Sequence, residues 1–280
     1  MRLSSANSIN WGRLAPQIVY YVSGYCELVN QGAIKNGEPI NVCVPTGNFG
    51  NILAAWFAKR MGLPIKTLIC ASNSNNVLTD FLQTGTYDRN RPFHYTTSPS
   101  MDILISSNLE RLLYLLSGSD ESVANYMAKL RADAKYTVSP ALFDKLRAEF
   151  ACGFCDDDEA ARTIARAFDK GYLPDTHTAV ALRVYDEYKA RTGDGTQTLV
   201  AATASPFKFP ASVLGALGQP VEGGDFRVLD SLSAIAGVPV PPQLAMLRTQ
   251  KERFTERVAP EVIRVYVDRF TQAQRKGQDA

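Results

Sequence analysis

The sequence predicts an α/β fold, an open and mostly parallel sheet flanked by helices, with a helical insertion. Three observations carry that expectation. First, an apolar segment, Ile40 to Val44, passes through a glycine turn into a helix-like segment, Ile52 to Met61, and then into a second apolar run, Ile65 to Ala71. Strand, helix and strand at that spacing form a crossover that pairs the two strands in parallel. Second, helical patterns and short apolar runs keep alternating as far as Gln197 to Thr203. Third, 280 residues, 45% hydrophobic and 21% charged, can bury a sizeable core.

Taken in order, Leu14 to Leu28 reads as an aromatic-rich helix, with Pro16 near its start and Gly32 beyond its end. Gln31 to Pro39 is a polar turn punctuated by glycine and proline. The helix after the glycine turn carries Leu53, Trp56 and Phe57 on one side and stops at Gly62-Leu63-Pro64. Glycine there frees the chain to turn and proline blocks further helix. Met101 to Phe150 is mainly helical, with Leu-rich segments at Leu109 to Leu116 and Val123 to Leu130, and reads as an insertion beside the sheet. Asp156 to Gly171 is a helix, acidic in its first turn and ended by Lys170-Gly171, as the helix dipole favours. Thr178 to Arg191 is another, with Val180, Val184 and Tyr188 in register, and Gln197 to Thr203 is a late buried strand. Val258, Val262, Val265 and Phe270 recur at roughly helical spacing near the end. The resulting organisation is an α/β domain at 1–225, including the insertion at about 101–150, and a helical tail at 226–280.

A net charge of +2 gives no argument for a nucleic-acid or membrane partner. No apolar run approaches bilayer-spanning length, and the N-terminus has no signal-peptide pattern. Five cysteines, an odd number without framework spacing, fit a reducing cytoplasm.

The most informative stretch is Val44-Pro45-Thr46-Gly47-Asn48-Phe49-Gly50-Asn51. Two glycines three apart at a strand-to-helix turn let backbone N–H groups face inward together, and the helix N-terminus behind them favours a phosphate. Gly47 and Gly50 are expected to supply backbone freedom and close ligand approach. An ordinary βα connection explains the same spacing. In open α/β sheets ligands sit outside the carboxyl ends of strands. Thr203 stands at a second such end, where its hydroxyl can bond a heterocyclic nitrogen or merely cap the next segment. Asn7, Ser8, Asn10 and Arg13 belong to a run of short hydrogen-bonding groups that suits an anionic substrate, and Arg13 can grip a phosphate or carboxylate. A frayed polar tail is the rival account. Ser72 to Asn76 is similar in content, and an Asx-turn with a helix cap explains it nearly as well.

Cys152-Gly153-Phe154-Cys155 has C-x-x-C spacing, but no second pair completes a zinc site and no thioredoxin-like context surrounds it. Asp156 to Glu159 reads as helix N-terminal charge, so no metal is expected. His94 and His177 are the only histidines. His177, at a helix start, is structural or site-lining rather than a catalytic base. Two distant histidines and no nucleophile elbow argue against a Ser-His-Asp hydrolase.

Ser5 to Arg13, Gly47 to Asn51, Ser98 to Ile103, Leu173 to Val180 and Thr203 to Pro206 form an ordered set that resembles the threonine synthases. Leu229 to Ser233, followed by Gly237 to Pro241, extends the resemblance, which covers roughly residues 3 to 255. It implies the tryptophan-synthase-β fold of type II pyridoxal phosphate enzymes. The implied reaction converts O-phospho-L-homoserine and water to L-threonine and phosphate. By this resemblance, Gly47, Asn48, Phe49, Gly50 and Asn51 hold the phosphate of the pyridoxal 5'-phosphate cofactor and Thr203 bonds the pyridine nitrogen. Asn7, Ser8, Asn10 and Arg13 lie near the substrate. A neutral hydroxyl on that nitrogen leaves it largely unprotonated and tempers the electron sink.

The family's Schiff-base lysine lies upstream of the Ser-Ala-Asn-Ser-Ile-Asn motif, in a Phe-Lys-Asp-like context that this sequence does not contain. Lys35, the only lysine before the glycine turn, sits in a polar turn with nothing to lower its pKa or aim it. Lys208 matches a different position of the family pattern. The expectation is therefore the carboxy-terminal portion of a threonine synthase, an incomplete fold with no catalytic residue of its own, inactive alone. Two readings stand beside it. One is a non-catalytic module that binds pyridoxal phosphate or a phospho-amino acid. The other is half of an enzyme completed in trans by an N-terminal segment. A missing neighbouring strand would leave a raw sheet edge and favour self-association.

Overall fold

A computed structural model describes residues 7–252 and 255–276. The Ser5-Ala6 start of the N-terminal motif and Phe254 lie outside the described residues. The described residues fall into two compact units, 7–239 and the described part of 240–276.

The first unit opens with α1 (Trp11–Leu14), a 3-10 turn over Ala15–Gln17 and α2 (Ile18–Asn30). The single helix expected over Leu14 to Leu28 is thus broken. Pro16 has no N–H to give to a preceding carbonyl, and the chain tightens around it before α2 begins. Next come β1 (Ile40–Pro45), α3 (Gly50–Arg60), β2 (Ile65–Ser72), α4 (Val77–Thr84) and β3 (Thr86–Asp88). The middle of the chain holds α5 (Leu109–Ser117), α6 (Asp120–Ala132), β4 (Lys135–Thr137), α7 (Pro140–Glu149) and β5 (Phe150–Phe154). The unit closes with α8 (Asp157–Phe168), α9 (Thr176–Thr192), β6 (Thr198–Val200), α10 (Pro210–Ala216) and α11 (Asp225–Ala236). Ser119, Ser139, Asp156 and Asp175 cap α6, α7, α8 and α9, each side chain accepting an N–H of the first turn.

The main sheet runs β5-β2-β1-β6 with every neighbouring pair parallel. β1 is buried along its whole length. Successive side chains of a strand point to opposite faces. Ile40, Val42 and Val44 pack with Tyr21 and Tyr25 of α2 and Ile52 and Leu53 of α3, while Cys43 gives its thiol proton to the Ala181 carbonyl of α9 at 3.3 Å. Helices therefore cover both faces, which is why the strand reads as a continuous apolar run and not an alternation.

Three details depart from the sequence expectation. No strand is expected at Cys152-Gly153-Phe154, yet the segment lies in β5, paired with Cys70 to Ser72 of β2. Gln197 to Thr203 is not a long buried strand. Only Thr198–Val200 pairs, with Asn41 to Cys43, and this edge strand is half-buried. The insertion around 101–150 is helical as expected, yet it also contributes β4, which pairs antiparallel with β3 and stacks Tyr136 on Tyr87 at 5.3 Å.

The second unit contains α12 (Pro242–Ala245) and α13 (Ile263–Lys276); of the late apolar spacing, α13 holds Val265 and Phe270, while Val262 ends a 3-10 turn and Val258 lies in no helix. Val265 and Phe270 of α13 are exposed. Among the described residues, no helix is long and apolar enough to cross a membrane.

Candidate functional site

The glycine turn follows the carboxyl end of β1 and feeds directly into α3. Its conformation differs from the expected one. Gly47 and Gly50 have no positive φ, and the left-handed residue is Phe49, at φ 61°. Phe49 is buried and its ring lies 5.6 Å from that of Phe150, so core packing holds a backbone geometry that costs an L-residue about 1–2 kcal/mol. The glycines serve close approach instead. A Cβ on Gly47 would stand 2.9 Å from the Ser100 carbonyl oxygen and 3.1 Å from Met101 Cα. One on Gly50 would meet Asn108 Nδ2 at 3.3 Å.

The carbonyl side of the turn is fully engaged. Ser106 Oγ donates to the Gly47 carbonyl at 2.9 Å, and both the backbone N–H and the Nδ2 of Asn108 donate to the Asn48 carbonyl at 3.0 Å. Ser107 Oγ donates to Asn48 Oδ1 at 3.3 Å. The N–H side is open: among the described residues, no protein acceptor takes the N–H groups of Gly47 through Asn51. The first turn of α3 carries no acidic side chain and no side-chain cap. Unpaired donors at the start of an eleven-residue helix fit a phosphate group.

A cleft of about 640 Å³ brings four parts of the chain together. Gly12 and Arg13 come from α1, Tyr21 and Gly24 from α2, Asn51 from α3, and Ala202 and Thr203 from the chain just beyond β6. Of the residues singled out in the sequence, Arg13, Asn51 and Thr203 share this cleft, and Thr203 is exposed within it. The cleft lies where adjacent parallel strands β1 and β6 end, the usual ligand position in such sheets. No lysine lines it. Lys35 is exposed in its turn, and Lys208 is exposed with its ammonium 5.4 Å from the Phe209 ring.

Ser8 is tied to the glycine turn by another route. Asn108, fully buried, donates from Nδ2 to the Ser8 carbonyl as well as to Asn48, each at 3.0 Å. Arg111 in turn donates to Asn108 Oδ1 at 2.9 Å and to the Ile9 carbonyl at 3.0 Å. Asn10 caps α1 by accepting the Gly12 N–H at 2.8 Å, while Asn7 is exposed and gives its carbonyl to the Asn10 N–H. The polar N-terminal run is therefore held to the supports of the glycine turn through Ser8 and Ile9, while Asn7, Ser8 and Asn10 do not line the cleft. Sequence reasoning missed Asn108 and Arg111. Asn108 directly precedes an apolar helix and reads locally as nothing more than a helix start.

The other polar clusters are accounted for by internal bonds. His177 is buried: the Ser100 N–H donates to its Nε2 at 3.2 Å, so its proton sits on Nδ1, 3.0 Å from Asp175 Oδ1. Burial raises the Asp175 carboxyl, but hydrogen bonds from His177 and Thr178 outweigh it and hold the group below the ordinary carboxylate range. Asn73 and Asn75 form an Asx-turn and donate to Asp102 Oδ1 at 2.8 and 3.0 Å. Asp156 caps α8, Asp157 accepts from Thr97, and Glu159 pairs with Arg183. Burial pushes the Cys152 and Cys155 thiols up to about 11 and about 12, the opposite of what a redox dithiol needs.

The family model described as "Threonine synthase, C-terminal" matches residues 178–267. Threonine synthase-like 1 of Mus musculus is 47% identical over 255 residues, covering 90% of this chain and 34% of that protein. The X-ray structure of PLP-bound threonine synthase from Brucella melitensis superposes with a TM-score of 0.78 at 39% identity, covering 95% of this chain and 52% of that one. Threonine synthase from yeast gives 0.79 at 32% identity, with 94% and 52% covered. The chain thus spans about a third of the mouse relative and about half of the two solved enzymes. On its α/β fold and these matches, the chain carries a threonine synthase C-terminal domain and has threonine synthases and a threonine synthase-like protein among its homologues.

Proposed function

We propose that this chain forms the phosphate- and ring-binding part of a threonine synthase site that uses pyridoxal phosphate. The observation that carries the reading is the row of unpaired N–H groups from Gly47 to Asn51, at the start of α3 and beside a cleft shared by Arg13 and Thr203. The N–H groups of Gly47, Asn48, Phe49, Gly50 and Asn51 receive the cofactor phosphate, and the Thr203 hydroxyl meets the pyridine nitrogen. When bound, the cofactor supplies an electron sink for carbanion chemistry on the substrate. Arg13 carries a guanidinium for the phosphate or carboxylate of O-phospho-L-homoserine, and Asn7, Ser8 and Asn10, from the run just before it, are the further polar groups assigned to the substrate. The overall reaction is the conversion of O-phospho-L-homoserine and water to L-threonine and phosphate.

Turnover also needs a lysine to anchor the cofactor and move protons, and none lines the cleft. Residues 1–280 by themselves are therefore a binding half that requires a lysine from other chain. The test is a phosphate-release assay with O-phospho-L-homoserine and added pyridoxal phosphate, followed by borohydride reduction and peptide mapping. Residues 1–280 alone should release no phosphate and show no site-specific lysine adduct. Turnover with reductive trapping on one lysine of this chain would overturn the reading.

A further inference from the structure

Tyr21 is a buried side chain that no family motif above includes. It stands 2% exposed on α2, with its ring in the core and its hydroxyl at the wall of the cleft. That hydroxyl contacts two oxygens of one residue, the Asn51 backbone carbonyl at 3.2 Å and, more closely, the Asn51 side-chain Oδ1. A phenol has one proton to give. The nearer oxygen, Oδ1, takes it.

The consequence lies at the other end of the amide. A carboxamide presents an acceptor on one side and two N–H donors on the other, and either side can face a ligand. With Oδ1 engaged by Tyr21, Nδ2 is what the Asn51 amide has left to offer the cleft that this residue lines, and no protein acceptor takes it among the described residues. Reversing the amide would turn a lone-pair oxygen toward the cleft, where it would repel an anionic oxygen.

We propose that Tyr21 is a positioning residue: its phenol fixes the orientation of the Asn51 carboxamide, so that the cleft offers N–H donors to an anionic oxygen of the ligand. Tyr21 sits on an element 30 residues before Asn51 in sequence and acts only through it. The chemistry selected is a phosphate or phenolate oxygen in the phosphorylated pyridine ligand. This inference rests on the functional reading above. The rigid ring, packed between α2, α3 and the sheet, makes the phenol a fixed reference against which a mobile amide is set.

The experiment is a double-mutant cycle on the full chain, with pyridoxine 5'-phosphate as the calorimetric probe. That compound keeps the ring and the phosphate but has no aldehyde to react with surface lysines. Tyr21→Phe keeps the ring and removes only the hydroxyl. It should weaken binding about fivefold, whereas Asn51→Ala should weaken it by a similar or larger factor. In the Asn51→Ala background, Tyr21→Phe should have no further effect on affinity. Side-chain amide signals in a nitrogen-15 spectrum give a readout that a purely structural role would not move. Probe binding should shift the Asn51 Nδ2 pair in the native chain and shift it less in Tyr21→Phe, with the backbone pattern retained. Unchanged affinity in Tyr21→Phe, or equal losses from Tyr21→Phe with and without Asn51, would overturn the inference while leaving the site intact. No binding by the native chain would instead remove the functional reading, and this inference with it.

Discussion

The backbone N–H of Ser100 donates to Nε2 of His177 across 3.2 Å, joining two segments 77 residues apart. The bond ties the loop of residues 98–103 to the start of α9. The same loop lies against Gly47, where the Ser100 carbonyl leaves no room for a Cβ. Asp175 completes the chain by holding the His177 proton on Nδ1, so that Nε2 is free to accept. The Leu173 to Val180 motif thus supports the glycine turn through one intermediate loop.

Replacing His177 with Phe keeps a ring of similar size beside Phe209, which it now meets at 4.8 Å, but strands the Ser100 N–H and the Asp175 carboxyl. Leaving buried polar partners unpaired should cost about 2–4 kcal/mol. Urea unfolding followed by tryptophan fluorescence measures it. A change below about 0.5 kcal/mol would show that the bond contributes nothing to the fold.

Asp175 sets a pH dependence whose sign follows from its depressed pKa. Its hydrogen bonds from His177 and Thr178 lower the folded-state value below the ordinary one despite burial. Such a group contributes stability that is present above the unfolded value near about 4 and is lost as pH falls through the folded value. Hydrogen bonds from Thr196, then Lys66 and Asn41, depress Asp194 in the same direction, so it contributes to the same acid limb. Unfolding free energy should therefore fall below about pH 4, and Asp175→Asn should flatten that slope without abolishing it. An equal slope in native and variant chains would contradict the assignment.

Gly47→Ala and Gly50→Ala should separate clearly. The first places a Cβ 2.9 Å from backbone, which can yield only by moving the 98–103 loop, and should cost about 1–3 kcal/mol. The second meets the tip of Asn108 at 3.3 Å, at a helical position that alanine suits, and should cost less than about 1 kcal/mol. Thermal melts of the two variants test the order.

At Phe49, glycine should be better tolerated than alanine, the reverse of the usual rank. Both substitutions lose the buried ring, at about 3–5 kcal/mol. Only glycine adopts φ 61° without penalty, so Phe49→Gly should be about 1 kcal/mol more stable than Phe49→Ala. Equal stability would show that the turn relaxes once the ring is gone.

The βαβ unit was legible because its signals are local: a run of apolar residues long enough for a doubly covered strand, a glycine turn, and Gly62-Leu63-Pro64 to stop the helix. β5 was not legible, since Cys152-Gly153 weakens the strand pattern and supplies the spacing of a dithiol. β6 was read too long because only Thr198–Val200 finds a partner, a limit set by β1 and not by its own residues. At the site, Arg13, Asn51 and Thr203 were named from motifs, and the fold brings them to one cleft. The supports were hidden. Asn108 and Tyr21 reach their partners across 30 to 100 residues, and no local pattern encodes such a contact; His177 was read as structural or site-lining, and only its partner Ser100 was hidden. The left-handed turn at Phe49 was hidden too, because its glycine neighbours draw that expectation onto themselves.

The most direct test of the central claim is a calorimetric titration of residues 1–280 with pyridoxine 5'-phosphate and, separately, with unphosphorylated pyridoxine. Saturable binding of the phosphorylated compound is expected, at least tenfold tighter than pyridoxine, because only it can meet the open N–H groups of Gly47 to Asn51. Equal affinity for the two compounds, or binding of neither, would contradict it.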